Sequence, residues 1–273
     1  MNMKKIFAIG TIVIAFAIVG AFSLQNQSTP TGTPTNEDVL RVGYIIYPPL
    51  LMQDSNTGEL SGISYDIVER VATDLGYETQ WVEEVGWGTA LEGLNTNRYD
   101  ILGTEMWPND ARREVALFSD APMNSAMYPY IVAGDDRFSA DDLEAINSSE
   151  FTISVLDGEM TSFIAAEDYP NADTYALPQL SSFAEVFLNI LQGKADITFI
   201  EPSVAEDFLK SHPGTIERLG DTPVRSFGNS FAFDKTDQAL FEKWNEGIHS
   251  LVDSGEISEI LNTYGALSHY IIN

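Results

Sequence analysis

Along the chain, short apolar runs alternate with segments whose apolar residues recur every three to four positions, which predicts alternating strands and helices. Val39 to Ile46 reads as a first strand, ended by Pro48-Pro49. The polar stretch Asp54-Ser-Asn-Thr-Gly58-Glu-Leu60 predicts a hairpin turn; its Asp54 and Asn56 resemble a calcium loop only faintly, because Gly falls one place early and no bidentate Glu follows. Ile63, Ile67, Val68, Val71 and Leu75 then lie on one helical face, closed by Gly76. A strand at Tyr77–Val82, a short helix at Thr89–Leu94 and a strand at Asp100–Gly103 follow, with a further extended segment at Tyr130–Ala133.

A second set repeats the alternation. It comprises a strand at Thr152–Leu156, helices near Thr161–Glu167 and at Ser182–Leu191, a strand at Asp196–Ile200 and a helix at Ser203–Leu209. Ser230–Phe233 is extended, and Gln238–Val252 carries Leu240, Trp244, Ile248 and Leu251 at helical spacing. The pattern predicts an α/β protein with two lobes and a cleft between them, a common site for a small ligand.

The N-terminus stands apart. Lys4-Lys5 precede an apolar run from Ile6 to Phe22, and Gln25 to Thr35 is a Thr/Pro-rich polar stretch that cannot pack a core. Residues 1–23 are therefore expected to be either a cleaved export signal or a retained membrane anchor through 6–22, and 24–37 a linker. Either way the folded part lies outside the cytoplasmic membrane.

Charge narrows the function. The chain of 273 residues has 41 acidic and 14 basic residues, a net charge of −27, which argues against nucleic-acid binding. With 4 Trp, 11 Tyr and 15 Phe it is too aromatic to be disordered. No cysteine is present, so disulfides, thiolate nucleophiles and lipidation through an N-terminal Cys are excluded. His212, His249 and His269 share no ligand spacing, so no metal site or cofactor is expected. Neither a Gly-x-Ser-x-Gly elbow, a phosphate-cradling glycine loop nor His-Glu-x-x-His occurs, so nothing points to an enzyme.

Several stretches in a particular order go further. They are Leu40-Arg-Val-Gly-Tyr-Ile-Ile-Tyr-Pro-Pro-Leu50 with Gly62-Ile-Ser-Tyr-Asp-Ile-Val-Glu69; Trp87 leading to Asn97-Arg-Tyr-Asp100; Asp110-Ala-Arg-Arg-Glu-Val-Ala-Leu-Phe-Ser-Asp120; and Leu191-Gln-Gly-Lys-Ala-Asp196 with Glu201. With Phe241-x-x-Trp-Asn-x-x-Ile248 and Ser254-Gly-Glu-Ile-Ser-Glu-Ile260, the chain resembles the family 3 extracellular solute-binding proteins, the amino-acid receptors of ABC importers, over roughly Asp38 to Gly265. The resemblance implies a type II periplasmic-binding-protein clamshell with two crossing hinge strands, here Tyr130–Ala133 and Ser230–Phe233. Lobe one would span 38–130 plus 231–273 and lobe two 131–230. It also implies a monomer that takes an amino acid or betaine-like zwitterion and hands it to an ABC-transporter permease.

Carried over by position, Arg112 matches the family's clamp for a ligand carboxylate; a planar fork of donors suits that task, and Arg112 is preferred to Arg113. Glu201 stands where the family usually has the Asp that pairs with a ligand ammonium. Tyr47 and Trp87 match the aromatic positions that sandwich the ligand. The departures are Glu105-Met106-Trp107 in place of Gly-x-Thr, Tyr44 at a usually acidic position, and Gly158-Glu159-Met160-Thr161 in place of Gly-Thr at a helix start. Glu159 is expected to repel a ligand carboxylate. The pocket so drawn is more aromatic and more acidic than the family pattern. The alternatives are a ligand-sensing ectodomain, and an enzyme like the cyclohexadienyl dehydratases, whose catalytic Glu would fall near Val204.

Overall fold

The computed structural model describes residues 39–273; the expected signal or anchor at 1–23 and linker at 24–37 lie outside the described residues. The chain opens with β1 (Val39–Tyr44), the hairpin β2 (Met52–Gln53) and β3 (Leu60–Ser61), and α1 (Ile63–Leu75). Next come β4 (Glu78–Glu84), α2 (Ala90–Asn95), β5 (Ile101–Met106), α3 (Asp110–Val115), β6 (Ala116–Phe118) and the long β7 (Met123–Val132). A second run follows as β8 (Thr152–Leu156), α4 (Met160–Asp168), β9 (Asp173–Leu177), α5 (Phe183–Leu191), β10 (Ile197–Ile200), α6 (Pro202–Ser211) and β11 (Ile216–Arg218). The chain returns through the long β12 (Arg225–Asp234) to α7 (Gln238–Ser254), α8 (Glu256–Thr263) and β13 (Ile271–Ile272).

Helix α1 shows how pattern becomes structure. Ile63, Ile67, Val68 and Val71 are buried on the face the spacing predicts. Gly76 ends the helix at φ 84°, a left-handed conformation that costs glycine little. Helix α7 likewise buries Leu240, Trp244, Ile248 and Leu251, and Trp244 packs edge-on to Phe231 and Phe233. The Asp54 segment is a turn: Asp54 Oδ1 accepts from the backbone N–H groups of Asn56 and Thr57.

The strands run in the order β4-β1-β5-β12-β7-β10-β8-β9. One half is parallel β4-β1-β5 with β12 antiparallel at its edge; the other is parallel β10-β8-β9 with β7 antiparallel. The halves join where β7 and β12 pair with each other, Met123–Met127 against Arg225–Asn229. The segments expected as links lie farther along and are paired inside each half. Tyr130–Val132 pairs with β10 and β11, and Ser230–Phe233 with β5 and β6. The shift has a physical source: Asn124, Ser125, Ala126 and Pro129 on one strand, and Ser226, Gly228 and Asn229 on the other, interrupt the apolar alternation by which a strand is recognised. Strand β9 also escaped the pattern, because it is an exposed edge strand.

The two halves close on each other through side chains and backbone. The Tyr47 and Phe183 rings lie 4.6 Å apart, and Gly88 N–H donates to Gln179 Oε1 at 2.9 Å. Gly158, at φ 76°, meets Gly88 so closely that a Cβ there would lie 2.5 Å from the Gly88 nitrogen. Gly158→Ala is therefore expected to hold the halves apart and to lower stability by about 1–2 kcal/mol through its left-handed backbone. Small-angle scattering should show a larger radius of gyration than wild type; an equal radius would mean that this contact does not set the closed spacing.

Candidate ligand-binding site

The parallel strands of both halves end toward the same cavity, as the carboxyl ends of α/β sheets commonly do at a ligand site. Its walls are Tyr47, Leu50, Trp87, Glu105, Trp107, Arg112, Glu159, Met160, Glu201 and Asn229, which in this closed arrangement leave a cavity of only about 10 Å³. Tyr47 and Leu50 follow β1, Glu105 lies near the end of β5 and Trp107 just beyond it. Glu159 and Glu201 are the N-cap residues of α4 and α6, and Asn229 comes from the crossing strand β12.

Arg112 is placed by a short helix capped by Asn109, whose side chain accepts from the Arg112 backbone N–H. The buried guanidinium donates from Nη1 to Trp107 O (2.6 Å) and from Nη2 to Gly158 O (2.9 Å), and stacks on Phe163. Two of its five N–H donors are thus used within the chain. Burial pushes its pKa down to about 10, opposed by the nearby Glu159 carboxylate, so it remains a cation at neutral pH. Neighbouring Arg113 is exposed.

Three carboxylates share this cavity. Ser64 Oγ donates to Glu105 Oε2, while Glu105 Oε1 is buried without a partner, and burial pushes the group up to about 7. Glu201 Oε1 accepts from Ser125 Oγ at 3.0 Å, its Oε2 has no partner, and burial pushes it up to about 8. Glu159 behaves differently. Its Oε2 accepts from Thr161 N and Oγ1 at 2.7 and 2.6 Å, capping α4. Burial still raises its pKa, against those hydrogen bonds and Arg112. An isolated charge in a dry site is costly, so three carboxylates against one guanidinium call for protons or for a cation.

Eight of the ten residues expected at the site line this cavity. Tyr44 does not: its ring lies edge-on to Trp81, 5.9 Å away, on the outer side of β1 beside Glu84. Strand alternation turns adjacent residues to opposite faces, so one position decides the matter. Thr161 stands behind Glu159 as its hydrogen-bond partner and does not line the cavity. Glu159 in turn caps a helix N-terminus, where an anion is favourable for the helix, and keeps its place on the cavity wall. Trp107 joins the core of the second half, stacking on Phe227 at 4.6 Å, while its indole N–H donates to Asn229 Oδ1 at 2.8 Å. Leu50, Asn229 and the supporting Ser64 and Ser125 were missed; nothing in their local pattern marks them. Among the described residues, no group of three or more His, Asp or Glu is placed to hold a metal, and no helix is long and apolar enough to cross a membrane.

A two-lobed α/β fold with a charged, aromatic cavity at its seam is suited to holding a small solute. Residues 40–266 match the bacterial extracellular solute-binding proteins, family 3, and the chain belongs to that family. It is 24% identical over 217 residues to a probable amino-acid ABC transporter-binding protein of Haemophilus influenzae, covering 78% of this chain and 79% of the relative. It is 26% identical over 269 residues to a probable histidine-binding protein of Campylobacter jejuni, covering 96% and 99%. Among solved structures, an ancestral amino acid-binding protein described as a precursor of cyclohexadienyl dehydratase superposes with a TM-score of 0.73 at 23% identity, over 84% of this chain and 95% of that one. An ancestral arginine-binding protein bound to arginine gives 0.72 at 21%, over 84% and 98%. The protein is thus an extracellular-type solute-binding protein of that family; Val204, near the position a dehydratase-like catalytic Glu would occupy, is a buried apolar residue of α6.

The raised carboxylates carry a pH signature. Between about 4.5 and 8 the folded state holds protons on Glu105 and Glu201 that the unfolded chain releases, so stability falls as pH rises through that window. Glu201→Gln removes this penalty. Its melting temperature relative to wild type should therefore be higher at pH 8.5 than at pH 5; the same difference at both would mean that Glu201 titrates normally.

Proposed function

We propose that the protein captures a cationic amino acid in the cleft between its lobes and delivers it to an ABC importer. The observation that carries this reading is the concentration of Glu105, Glu159 and Glu201 around the single guanidinium of Arg112, with one oxygen each of Glu105 and Glu201 unpartnered. Arg112 takes the ligand carboxylate, Glu105 and Glu201 take positive groups, and Tyr47 and Trp87, 5.4 Å apart and perpendicular, flank the remainder. Aromatic faces beside carboxylates attract cations, so a betaine- or ectoine-like osmolyte ranks second, and a neutral or acidic amino acid third. Relatives named for histidine and arginine support the cationic class, and one named for cystine supports an amino acid only.

The same reading makes the lobes, expected at 38–130 plus 231–273 and at 131–230, pivot where β7 and β12 cross at 123–127 and 225–229. Closure brings Gly158 O onto Arg112 and removes water from the charged contacts, strengthening them. Export of the chain, with 6–22 either cleaved away or retained as an anchor, puts this cycle on the outer side of the cytoplasmic membrane.

Calorimetry tests the assignment. L-arginine should bind more tightly than L-glutamate, and the reverse order would sink the ligand class. Arg112→Ala should cost about 2–5 kcal/mol of binding, since it leaves a buried ligand carboxylate unpaired. Arg113→Ala, altering an exposed side chain, should leave the affinity unchanged.

A further inference from the structure

Asn229 is fully buried, lines the cavity, and carries an amide nitrogen with no partner. Its orientation is determined by its neighbours. The Trp107 indole is a donor only, so the atom it faces at 2.8 Å must be the amide oxygen. Ser125 Oγ lies 2.8 Å from that same oxygen and 3.0 Å from Glu201 Oε1. The chain Trp107–Asn229–Ser125–Glu201 therefore leaves two buried atoms of the cavity wall without a partner: a donor, Asn229 Nδ2, and an acceptor, Glu201 Oε2. A buried amide N–H left without a partner is costly, so the complement is an acceptor on the bound solute.

We propose that Asn229 is a specificity-determining residue that donates from Nδ2 to an oxygen of the ligand carboxylate, with Trp107 as the positioning residue that holds the amide in this orientation. The inference rests on the reading of the cavity as an amino-acid site and deepens it. Glu201 and Asn229, sharing Ser125, address neighbouring groups of opposite polarity, which is the arrangement an ammonium and a carboxylate on one carbon present. Arg112, whose Nη1 is held by the carbonyl of the same Trp107, supplies the charge for that carboxylate, and Asn229 supplies a neutral donor.

Asn229→Asp separates this role from simple electrostatics. At pH 9, above the values of about 7 and 8 to which burial raises Glu105 and Glu201, the substitution keeps the oxygen that Trp107 and Ser125 use and replaces the donor by a second acceptor. Added negative charge would by itself draw a cation in, yet L-arginine should bind about tenfold more weakly, because oxygen now faces oxygen. Independently of that variant, the Asn229 side-chain NH2 signal in wild-type protein, assigned through its contact with the Trp107 indole proton, should move downfield as L-arginine is added. Unchanged or tighter binding by Asn229→Asp overturns the assignment, and so does a stationary NH2 signal at saturation. Wild-type protein that fails to bind L-arginine at all sinks the cationic-amino-acid reading and this assignment with it. Binding that survives Asn229→Asp sinks only the latter.

Discussion

A single buried guanidinium is bound by both halves of this molecule. Arg112 donates to Trp107 O at the end of one half's sheet and to Gly158 O at the mouth of the other's first helix. Removing such a group from water is expensive, and its hydrogen bonds recover that cost only when both carbonyls are in place. The close approach of Gly158 to Gly88 and the Gln179 contact across the same seam bring the second carbonyl within reach. Closure of the halves and solvation of Arg112 are therefore one problem with one solution.

The other buried charges follow from that arrangement. With Arg112 held, the cavity has a fixed positive end, and Glu105, Glu159 and Glu201 are distributed around the rest. Of the three, Glu159 is satisfied as a helix cap, while Glu105 and Glu201 each keep one oxygen without a partner. Serine hydroxyls hold these two from behind, which leaves their charge state responsive to what enters the cavity. Tyr47 and Trp87 lie perpendicular on the cavity wall, 5.4 Å apart, and Phe183 packs against Tyr47 at 4.6 Å.

Outside the cavity, several arginines are engaged in ion pairs. Arg225, at the start of the crossing strand, pairs with Asp168 and Glu167, and Arg41 with Asp100. In a chain of net charge −27 these pairs relieve local repulsion at sheet junctions, and most carboxylates remain solvated, where salt screens them.

Read by itself, the sequence determined the alternation of strands and helices, the buried faces of α1 and α7, and, through the order of its motifs, the family and most of the cavity wall. These are local or near-local properties: apolar spacing and capping glycines act over a few residues, and Arg112 or Glu201 is anchored to a motif of its own. Tertiary structure alone decided the rest. Tyr44 and Tyr47 stand three residues apart, yet only the path of the chain after β1 turns one outward and the other inward. That Glu159 caps its helix through Thr161 is likewise settled only by the folded backbone. Asn229 lies between two glycine- and serine-rich steps with no periodicity, and gains its meaning from Trp107, 122 residues earlier in the chain. Such partners meet only because β7 and β12 cross, and a hydrogen bond's direction, unlike an apolar face, is set by the atom opposite and not by the residues beside it.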